Sequence, residues 1–543
     1  MADLVQACRK RLESLKADRQ PHESVWRDCA DYTFPALAHG LQTTVIDATD
    51  AQRRQVQIYD PTAGDSVNTG AASIMGAMVP SNAQWYDYDV GSETEDERRW
   101  LDGAARFGWE NIHSANFDAE AMDCVVSALV QGWFVLYCDE HQDEHQDEGG
   151  LYFEAWPVGE CWVAASRAGG RIDTVYRERD LTVGQVVAEY GLDSVSEGVR
   201  RKHEDGKLDE KVRTVHVIEP RAIHAVGASM ARNLPWASVH YESATNTLLR
   251  ESGYHEFPCM APRWRRLPGS TYATGPVADA LPTVKALNEA MRLTLLGAET
   301  AICPPLKVVD DGVINARNMR VGPRKILTCA SVDSIEPLMT GAKVEIGFAT
   351  LEQLQGQVKK ILLADQLPPA DGPVKTAYEW SVRVDQMRKI LGPLFARFQA
   401  EFLQGLVERV FGLTWRANER SGFQLLGRPP QSLAGRNFSV RYLSPLARAQ
   451  RLEDVAAMDR FEQTLAAEAA VDQSVLDVYD FEEAARQRHR LLGVPQKTLR
   501  DQKAIDARRK AQAQAQAQAQ QQAVASQGQM DMQSAMAQRL AQG

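Results

Sequence analysis

The feature that most constrains the fold is one long apolar stripe in the C-terminal half of the chain. Apolar residues recur there at spacings of three and four, at Met387, Leu391, Leu394, Phe398, Phe402, Leu406, Val410 and Leu413. This period predicts a single helix, which would run for about 38 residues and roughly 55 Å. A helix of that length cannot bury its stripe in one small core, so it must pack along several neighbouring elements.

The start and the interior of this helix carry signals of their own. Thr376 and Glu379 fit a capping box, with Thr376 at the N-cap and Glu379 at the third helical position. Pro393 lies inside the stripe and is expected to kink the helix. The preceding segment 365–375 holds three prolines and one glycine, which predicts a loop.

A second constraint is a helix–module–helix pattern between residues 276 and 364. Pro276 and Pro282 each suit a first helical position, and an apolar period then continues to Ile302, where Cys303-Pro304-Pro305 ends it. Residues 306–346 contain short strand and turn patterns. A helix from about residue 350 to residue 364 is predicted to lead back from them.

The rest of the chain predicts a mainly helical α+β protein with small antiparallel sheets. Further helices are expected at 1–35, 63–78, 94–130 and within 446–492. Short aromatic and β-branched runs predict strands at 85–88, 133–138, 151–156, 161–164, 174–178, 212–218, 238–242 and 438–442.

Residues 497–510 hold six bases against two acids. The alanine- and glutamine-rich tail beyond them has no apolar stripe, so we expect it to be mobile or ordered only against neighbouring subunits.

Composition excludes several classes of protein. The 543 residues are 44% hydrophobic and 24% charged, which is ordinary for a globular chain. The net charge of −11 excludes a polycation that wraps nucleic acid over its whole surface. The eight cysteines form no CxxC pair, which excludes a zinc ribbon, and scattered cysteines indicate reduced thiols. Residues 1–19 lack the apolar core of a signal peptide, and no apolar stretch is long enough for a membrane span.

The sequence contains no catalytic motif among those that we can recognise. A P-loop, a GxGxxG turn, GxSxG and HExxH are all absent. His141 and His145 stand four residues apart in the acidic stretch 139–148, which suits either a metal-dependent nuclease or, more simply, a solvated hairpin tip. His216, His240 and His255 stand singly in strand-like runs, which favours structural roles. We therefore predict no catalytic residue, no metal and no cofactor.

Four segments carry a resemblance to a known family. They are residues 59–63 with 71–75, Pro80 and Trp85; residues 271–276 with 280–282 and 287–288; residues 376–379 with 391–395, 397–398, Glu401 and 406–409; and residues 442–450. In order and spacing they resemble the portal, or head-to-tail connector, proteins of short-tailed double-stranded DNA phages. One departure is Ala273, where the family pattern leads us to expect glycine.

The resemblance implies a portal fold with a wing, a stem, a clip and a crown. The implied divisions are a wing at 1–270, stem helices at 271–305 and 347–364, a clip at 306–346, a channel loop at 365–375, a long wing helix at 376–420, a crown at 421–500, and a C-terminal tail at 501–543 that is either a barrel or disordered.

The resemblance also implies a non-enzymatic ring of about twelve copies at one capsid vertex. It would conduct double-stranded DNA without sequence preference and dock the terminase packaging motor, tail adaptor proteins, scaffold and major capsid protein. Such a protein is made in the host cytoplasm, resides in the virion and involves no membrane. A non-portal head or tail adaptor ring is the alternative.

Two sets of charged or polar residues would serve this function. Candidates for the DNA channel are Lys375, Lys359, Lys360, Lys285, Gln366 and Asp371, because a few bases per subunit, repeated around a ring, can centre DNA within an acidic wall. Candidates for partner docking at the clip are Arg317, Arg320, Arg324 and Lys325. The alternative for each lysine and arginine is that it is an ordinary solvated charge.

Overall fold

A computed structural model describes most of the chain in two compact units. The described residues are 2–41, 48–91, 94–140, 150–224, 230–304, 306–308, 335–337, 344–364, 392, 396–433, 439–443, 445–469, 474, 478–492, 505, 507–516 and 518. The first unit comprises Met1–Asp87, Ala104–Gly427 and Val440–Ala449. The second comprises Tyr88–Gly103, Arg428–Ser439 and Gln450–Gly543.

Helices dominate both units. In chain order they are α1 (Ala2–Asp31), α2 (Ala48–Gln55), α3 (Thr62–Met78), α4 (Glu95–Ser114), α5 (Phe117–Gln131), α6 (Val183–Tyr190), α7 (Glu197–Glu204), α8 (Pro276–Ile302), α9 (Val344–Ile361), α10 (Gln404–Arg420), α11 (Pro445–Ala469) and α12 (Phe481–Leu492). Residues 507–516 are also helical.

The strands are short and antiparallel. They are β1 (Tyr86–Asp89), β2 (Val135–Glu140), β3 (Leu151–Trp156), β4 (Cys161–Ala164), β5 (Thr174–Thr182), β6 (Lys211–Pro220), β7 (Trp236–Glu242), β8 (Leu248–Tyr254), β9 (Cys259–Met260), β10 (Arg265–Arg266), β11 (Ala273–Thr274), β12 (Leu306–Val308), β13 (Ile335–Pro337) and β14 (Ser439–Tyr442). This inventory confirms the predicted mainly helical α+β class. The sequence did not predict α2, α6, α7, β8, β9, β10 or β11.

The largest sheet is a five-stranded meander in the order β4-β5-β6-β7-β8. One face carries alternate apolar side chains, among them Val215 and Val217 of β6. Helix α1 packs on that face through Val5, Cys8 and Leu12, one helical turn apart. The apolar spacing of the N-terminal residues therefore buries α1 along its length, although Pro21 lies inside the helix.

A smaller sheet, in the order β3-β2-β9, lies next to the meander. Trp26, Trp133 and Tyr272 cluster between these elements, with the rings of Trp26 and Trp133 5.7 Å apart. Arg19 is buried beside them, where its guanidinium donates to the carbonyl oxygens of Val158, Gly159 and Cys161. A buried arginine thus satisfies three main-chain acceptors that would otherwise be left without hydrogen bonds.

Two glycines let α5 cross the start of α8. Gly132 has a φ of +92°, and a Cβ atom there would lie 2.4 Å from the main-chain carbon of Thr274. A Cβ atom on Gly275 would lie 2.3 Å from the carbonyl oxygen of Leu129. Only glycine at both positions allows so close an approach of the two backbones, and this crossing fixes where α8 leaves the first unit.

The predicted long helix is described from residue 396 onward. It runs through one π-helical turn at Gln399–Leu403 and continues as α10 to Arg420. Phe398, Phe402, Leu406 and Val410 of the predicted stripe are buried. The proposed cap at Thr376 and Glu379 and the kink at Pro393 lie outside the described residues.

In the second unit, α11 and α12 are joined by polar and aromatic contacts. Arg488 of α12 lies 3.2 Å from a carboxylate oxygen of Asp459 on α11, and the hydroxyl of Tyr479 donates to Glu462 over 3.0 Å. The rings of Phe461 and Tyr479 are 5.4 Å apart. The helical residues 507–516 are exposed.

Candidate assembly site on the α8–α9 hairpin

Helices α8 and α9 form an antiparallel hairpin that extends the first unit. Helix α8 leads to β12, which pairs with β13 in the register Leu306 to Pro337, and α9 leads back. The helices approach closely at Gly347, where a Cβ atom would lie 2.9 Å from the hydroxyl oxygen of Thr294. This geometry is what the helix–module–helix pattern of the sequence predicts.

The base of the hairpin is held by the segment that precedes α3. The side-chain oxygen of Asn288 on α8 accepts from the main-chain nitrogen of Tyr59 over 2.7 Å, while its amide donates to Gln57 over 3.2 Å. From α9, Gln355 donates to the buried carboxylate of Asp60 over 2.7 Å. Asp60 also accepts from the main-chain nitrogen of Thr62. One short segment therefore bonds both helices.

Beyond this base, the hairpin exposes large apolar side chains. Leu293 and Leu296 on α8 are 51% and 48% exposed, and Phe348 on α9 is 58% exposed. Leu295 and Ile302 are exposed as well, and so is Ile361, which lies past Gln355 at the end of α9. From residue 293 to residue 302 the only charged residue is Glu299. A helix that is apolar on several sides is normally buried, and an exposed apolar patch of this kind marks an interaction surface.

Three of the predicted channel lysines lie on this hairpin. Lys359 and Lys360 are exposed in the last turn of α9. Lys285 instead pairs with Asp28 over 2.7 Å, and its ammonium lies 5.3 Å from the centre of the Tyr32 ring. Lys375, Gln366, Asp371 and the clip candidates Arg317, Arg320, Arg324 and Lys325 lie outside the described residues.

A polar cavity of about 430 Å³ is a second cluster, which the sequence did not predict. His216 and His240 face each other across β6 and β7, with ring centres 3.8 Å apart. The hydroxyl of Ser238 lies within hydrogen-bonding distance of both rings, and that of Tyr190 lies 3.0 Å from His240. Only the register of two strands, which no single run of sequence contains, could have revealed this pair.

The imidazoles of this pair are held in their neutral form. Burial lowers the pKa of His240 to about 3, with further lowering by the guanidinium groups of Arg250 and Arg179. Burial also holds the pKa of His216 well below its usual range, as do His240 and the arginines nearby. The pair is therefore a buried structural cluster, as each histidine was predicted to be.

The described residues contain no group of three or more His, Cys, Asp or Glu side chains placed to hold a metal ion. His141 and His145 lie outside them, so the nuclease alternative is not tested by geometry. Among the described helices, none combines the length and the apolarity that crossing a bilayer requires.

Comparison with known proteins connects this architecture to one family. Residues 5–499 match the family described as "Bacteriophage head to tail connecting protein". The "Probable portal protein" of Bordetella phage BPP-1 is 27% identical over 88% of this chain and 86% of its own length. The "Portal protein" of Salmonella phage epsilon15 is 26% identical over 98% of this chain and 93% of its own length.

Two solved structures are similar at lower levels. The structure titled "Neck of empty GTA particle computed with C6 symmetry" has a TM-score of 0.36 and 10% identity, covering 76% of this chain and 90% of that one. "Neck of native GTA particle computed with C12 symmetry" has a TM-score of 0.32 and 12% identity, covering 80% and 91%.

Proposed function

The chain belongs to the family of bacteriophage head-to-tail connecting proteins, and on that premise we propose that it is the portal protein of a short-tailed double-stranded DNA phage. About twelve copies form a closed ring at one capsid vertex. The ring is the conduit through which DNA is packaged and ejected. It is also the platform on which the packaging motor and the tail dock.

The observation that carries this proposal is the apolar surface of the α8–α9 hairpin. Exposed Leu293, Leu296 and Phe348 leave the isolated subunit with a surface that water solvates poorly. Fully burying an exposed leucine side chain contributes roughly 1.5–3 kcal/mol, so covering the exposed half of Leu293 or Leu296 contributes about half of that. A closed ring buries the same patch on every subunit, because each subunit presents two different faces to its two neighbours.

The negative net charge of the chain is compatible with the passage of DNA through the ring. An acidic subunit repels a polyanion broadly, so DNA slides without the strong retention that many phosphate contacts would cause. We assign three bases to the channel wall. They are Lys359 and Lys360, which are exposed at the end of α9, and Lys375 in the proline-rich segment. Lys285 is a weaker candidate because Asp28 already neutralises it.

The finer roles follow from the ring. The segment between α8 and α9, with Arg317, Arg320, Arg324 and Lys325, is assigned to docking of the terminase motor and tail adaptor proteins. Scaffold and major capsid protein are assigned to the outer surface. The ring acts by positioning and conducting DNA and carries out no covalent chemistry.

Ring assembly tests the proposal directly. We expect the purified wild-type chain to form rings with a central hole in electron micrographs, and the double variant Leu293→Glu/Leu296→Glu to remain monomeric in analytical ultracentrifugation. Leu192→Glu/Leu208→Glu is the matched control, because these leucines are 41% and 44% exposed elsewhere in the first unit. Rings formed equally well by the hairpin variant, or a stable wild-type monomer at high concentration, would refute the proposal.

A further inference from the structure

Charge is distributed very unevenly along this chain. Residues 486–510 contain nine Lys and Arg side chains and two Asp, a local charge of +7, while the whole chain carries −11. The residues outside this stretch therefore sum to −18. Glu482 and Glu483 precede the stretch, so residues 482–510 still carry +5, and the following residues, 511–530, carry no charge. Segregation of this kind indicates a polyanionic partner.

The tripeptide Arg-Arg-Lys occurs twice in the chain and provides an internal comparison. At 200–202, in α7, every member has a partner. Arg200 donates to the carbonyl oxygen of Leu192 over 2.9 Å, Arg201 pairs with Glu197, and Lys202 lies 3.0 Å from Glu210. Glu197 of α7 and Glu210 thus neutralise two of the three cations, and a carbonyl oxygen accepts from the third.

The second copy, at 508–510, is different. All three side chains are exposed on the helical residues 507–516. Arg509 pairs with Glu482 of α12, whereas Arg508 and Lys510 have no partner within the described part of the chain. Successive helical residues point about 100° apart, so the three cations span more than half of the helix circumference, and one neighbouring helix cannot cover them all.

We propose that this basic stretch, through its described residues Arg508, Arg509 and Lys510, binds the phosphate backbone of double-stranded DNA without reading its sequence. Each cation that meets a phosphate releases condensed counterions, which drives binding and makes it salt-dependent. Repetition of the stretch around a ring adds avidity without any new contact. This binding goes beyond conduction, because the acidic remainder of the subunit lets DNA slide while the basic stretch holds it.

The test measures DNA binding by the full-length chain. A random-sequence duplex is titrated at several salt concentrations against the wild type, Arg508→Gln/Arg509→Gln/Lys510→Gln, and the matched control Arg200→Gln/Arg201→Gln/Lys202→Gln. We expect the 508–510 variant to bind at least tenfold more weakly, and its plot of log affinity against log salt to be shallower by about 3 for each engaged subunit. The 200–202 variant should bind like the wild type.

A charge-retaining variant separates lost cations from lost structure. Arg508→Lys/Arg509→Lys should keep most of the affinity, since counterion release depends on charge. Equal losses in the two glutamine variants, or no loss in the 508–510 variant, would overturn the proposal. It would also be overturned if the 508–510 variant changed only ring stability, because the stretch would then serve acidic surfaces of neighbouring subunits. Ring formation is scored separately by electron microscopy, so failure of this inference leaves the portal assignment standing.

Discussion

At the scale of single residues, the buried histidine pair couples the stability of the first unit to pH. The rings of His216 and His240 stack among Arg177, Arg179 and Arg250, with Tyr190 and Ser238 as hydrogen-bonding partners. Four acids line the same cavity: Asp139 and Glu140 of β2, Glu154 of β3 and Glu189 of α6. No hydrogen bond or ion pair joins these acids to either imidazole among the described contacts.

This arrangement predicts that acid weakens the fold. In the unfolded chain both histidines take up a proton near pH 6.5, whereas in the folded chain the pKa of His240 is lowered to about 3. The unfolded state therefore binds more protons than the folded state below pH 6.5. As the pH is lowered, the free energy of unfolding decreases by up to about 1.4 kcal/mol per pH unit for each histidine. We expect the denaturant midpoint to decline between pH 6.5 and pH 5.

The measurement needs two variants. His216→Asn/His240→Asn should flatten the decline over that pH range, and His224→Asn, at an exposed site, should leave it unchanged. An identical slope in the wild type and the double variant would contradict the prediction.

A buried ion pair makes a second prediction. The Arg263 guanidinium and the Glu401 carboxylate form a bidentate contact at 2.8 and 3.1 Å, with side chains 2% and 9% exposed. Glu401→Gln keeps the shape but leaves a buried cation without its partner, which should cost roughly 3–5 kcal/mol of unfolding free energy. The loss is measured from denaturant unfolding curves.

The control is an exposed pair in the same region. Arg265 and Asp279 lie 2.6 Å apart but are 57% and 48% exposed, so Asp279→Asn should cost less than about 1 kcal/mol. Equal losses of unfolding free energy in the two variants would mean that burial does not increase the contribution of the Arg263–Glu401 pair to stability.

At the scale of elements, the crossing of α5 and α8 depends on glycine for two separate reasons. Gly132→Ala meets both a positive φ and a main-chain atom at 2.4 Å, whereas Gly206→Ala meets a φ of +74° with nothing within 4 Å. We expect about 1–2 kcal/mol of destabilisation for Gly206→Ala and a further 1–3 kcal/mol for Gly132→Ala because of overpacking. Comparison of the two unfolding midpoints checks this difference, and similar midpoints would contradict it.

The sequence predicted elements where periodicity is strong and long. The stripe of Phe398, Phe402, Leu406 and Val410 identified the long helix, and the proline-bounded run to Ile302 identified α8. The π turn at Gln399–Leu403 was not predicted, because one extra residue in a turn barely disturbs a period near 3.6. Strand β8 was missed because Leu248–Tyr254 alternates weakly and lies at the edge of its sheet.

In the candidate site, too, local features were predictable from the sequence and contacts between distant residues were not. The α8–α9 hairpin was predictable because its two helices are local features of the sequence. The clamp formed by Asn288, Gln355 and Asp60 was not, because its members lie far apart in the chain. The pairing of Lys285 with Asp28 could not be foreseen either, since the sequence gives no sign that α1 passes beside α8.

At the scale of the whole molecule, apolar surface and charge serve different purposes. The exposed leucines and Phe348 of the hairpin provide a driving force for assembly that salt does not weaken. The acidic majority of the chain and its basic C-terminal stretch act on DNA through forces that salt does weaken. Raising the salt concentration should therefore release DNA before it dissociates rings.

The clamp at the base of the hairpin has a mechanical consequence. In the proposed ring, any pull that moving DNA exerts on the hairpin passes to its base. Because Asn288 and Gln355 bond the same short segment, Tyr59 and Asp60, a pull on either helix reaches that segment, while Lys285 also connects α8 to Asp28 of α1. Helices α8 and α9 therefore share this load, which resists sliding of one helix along the other during translocation.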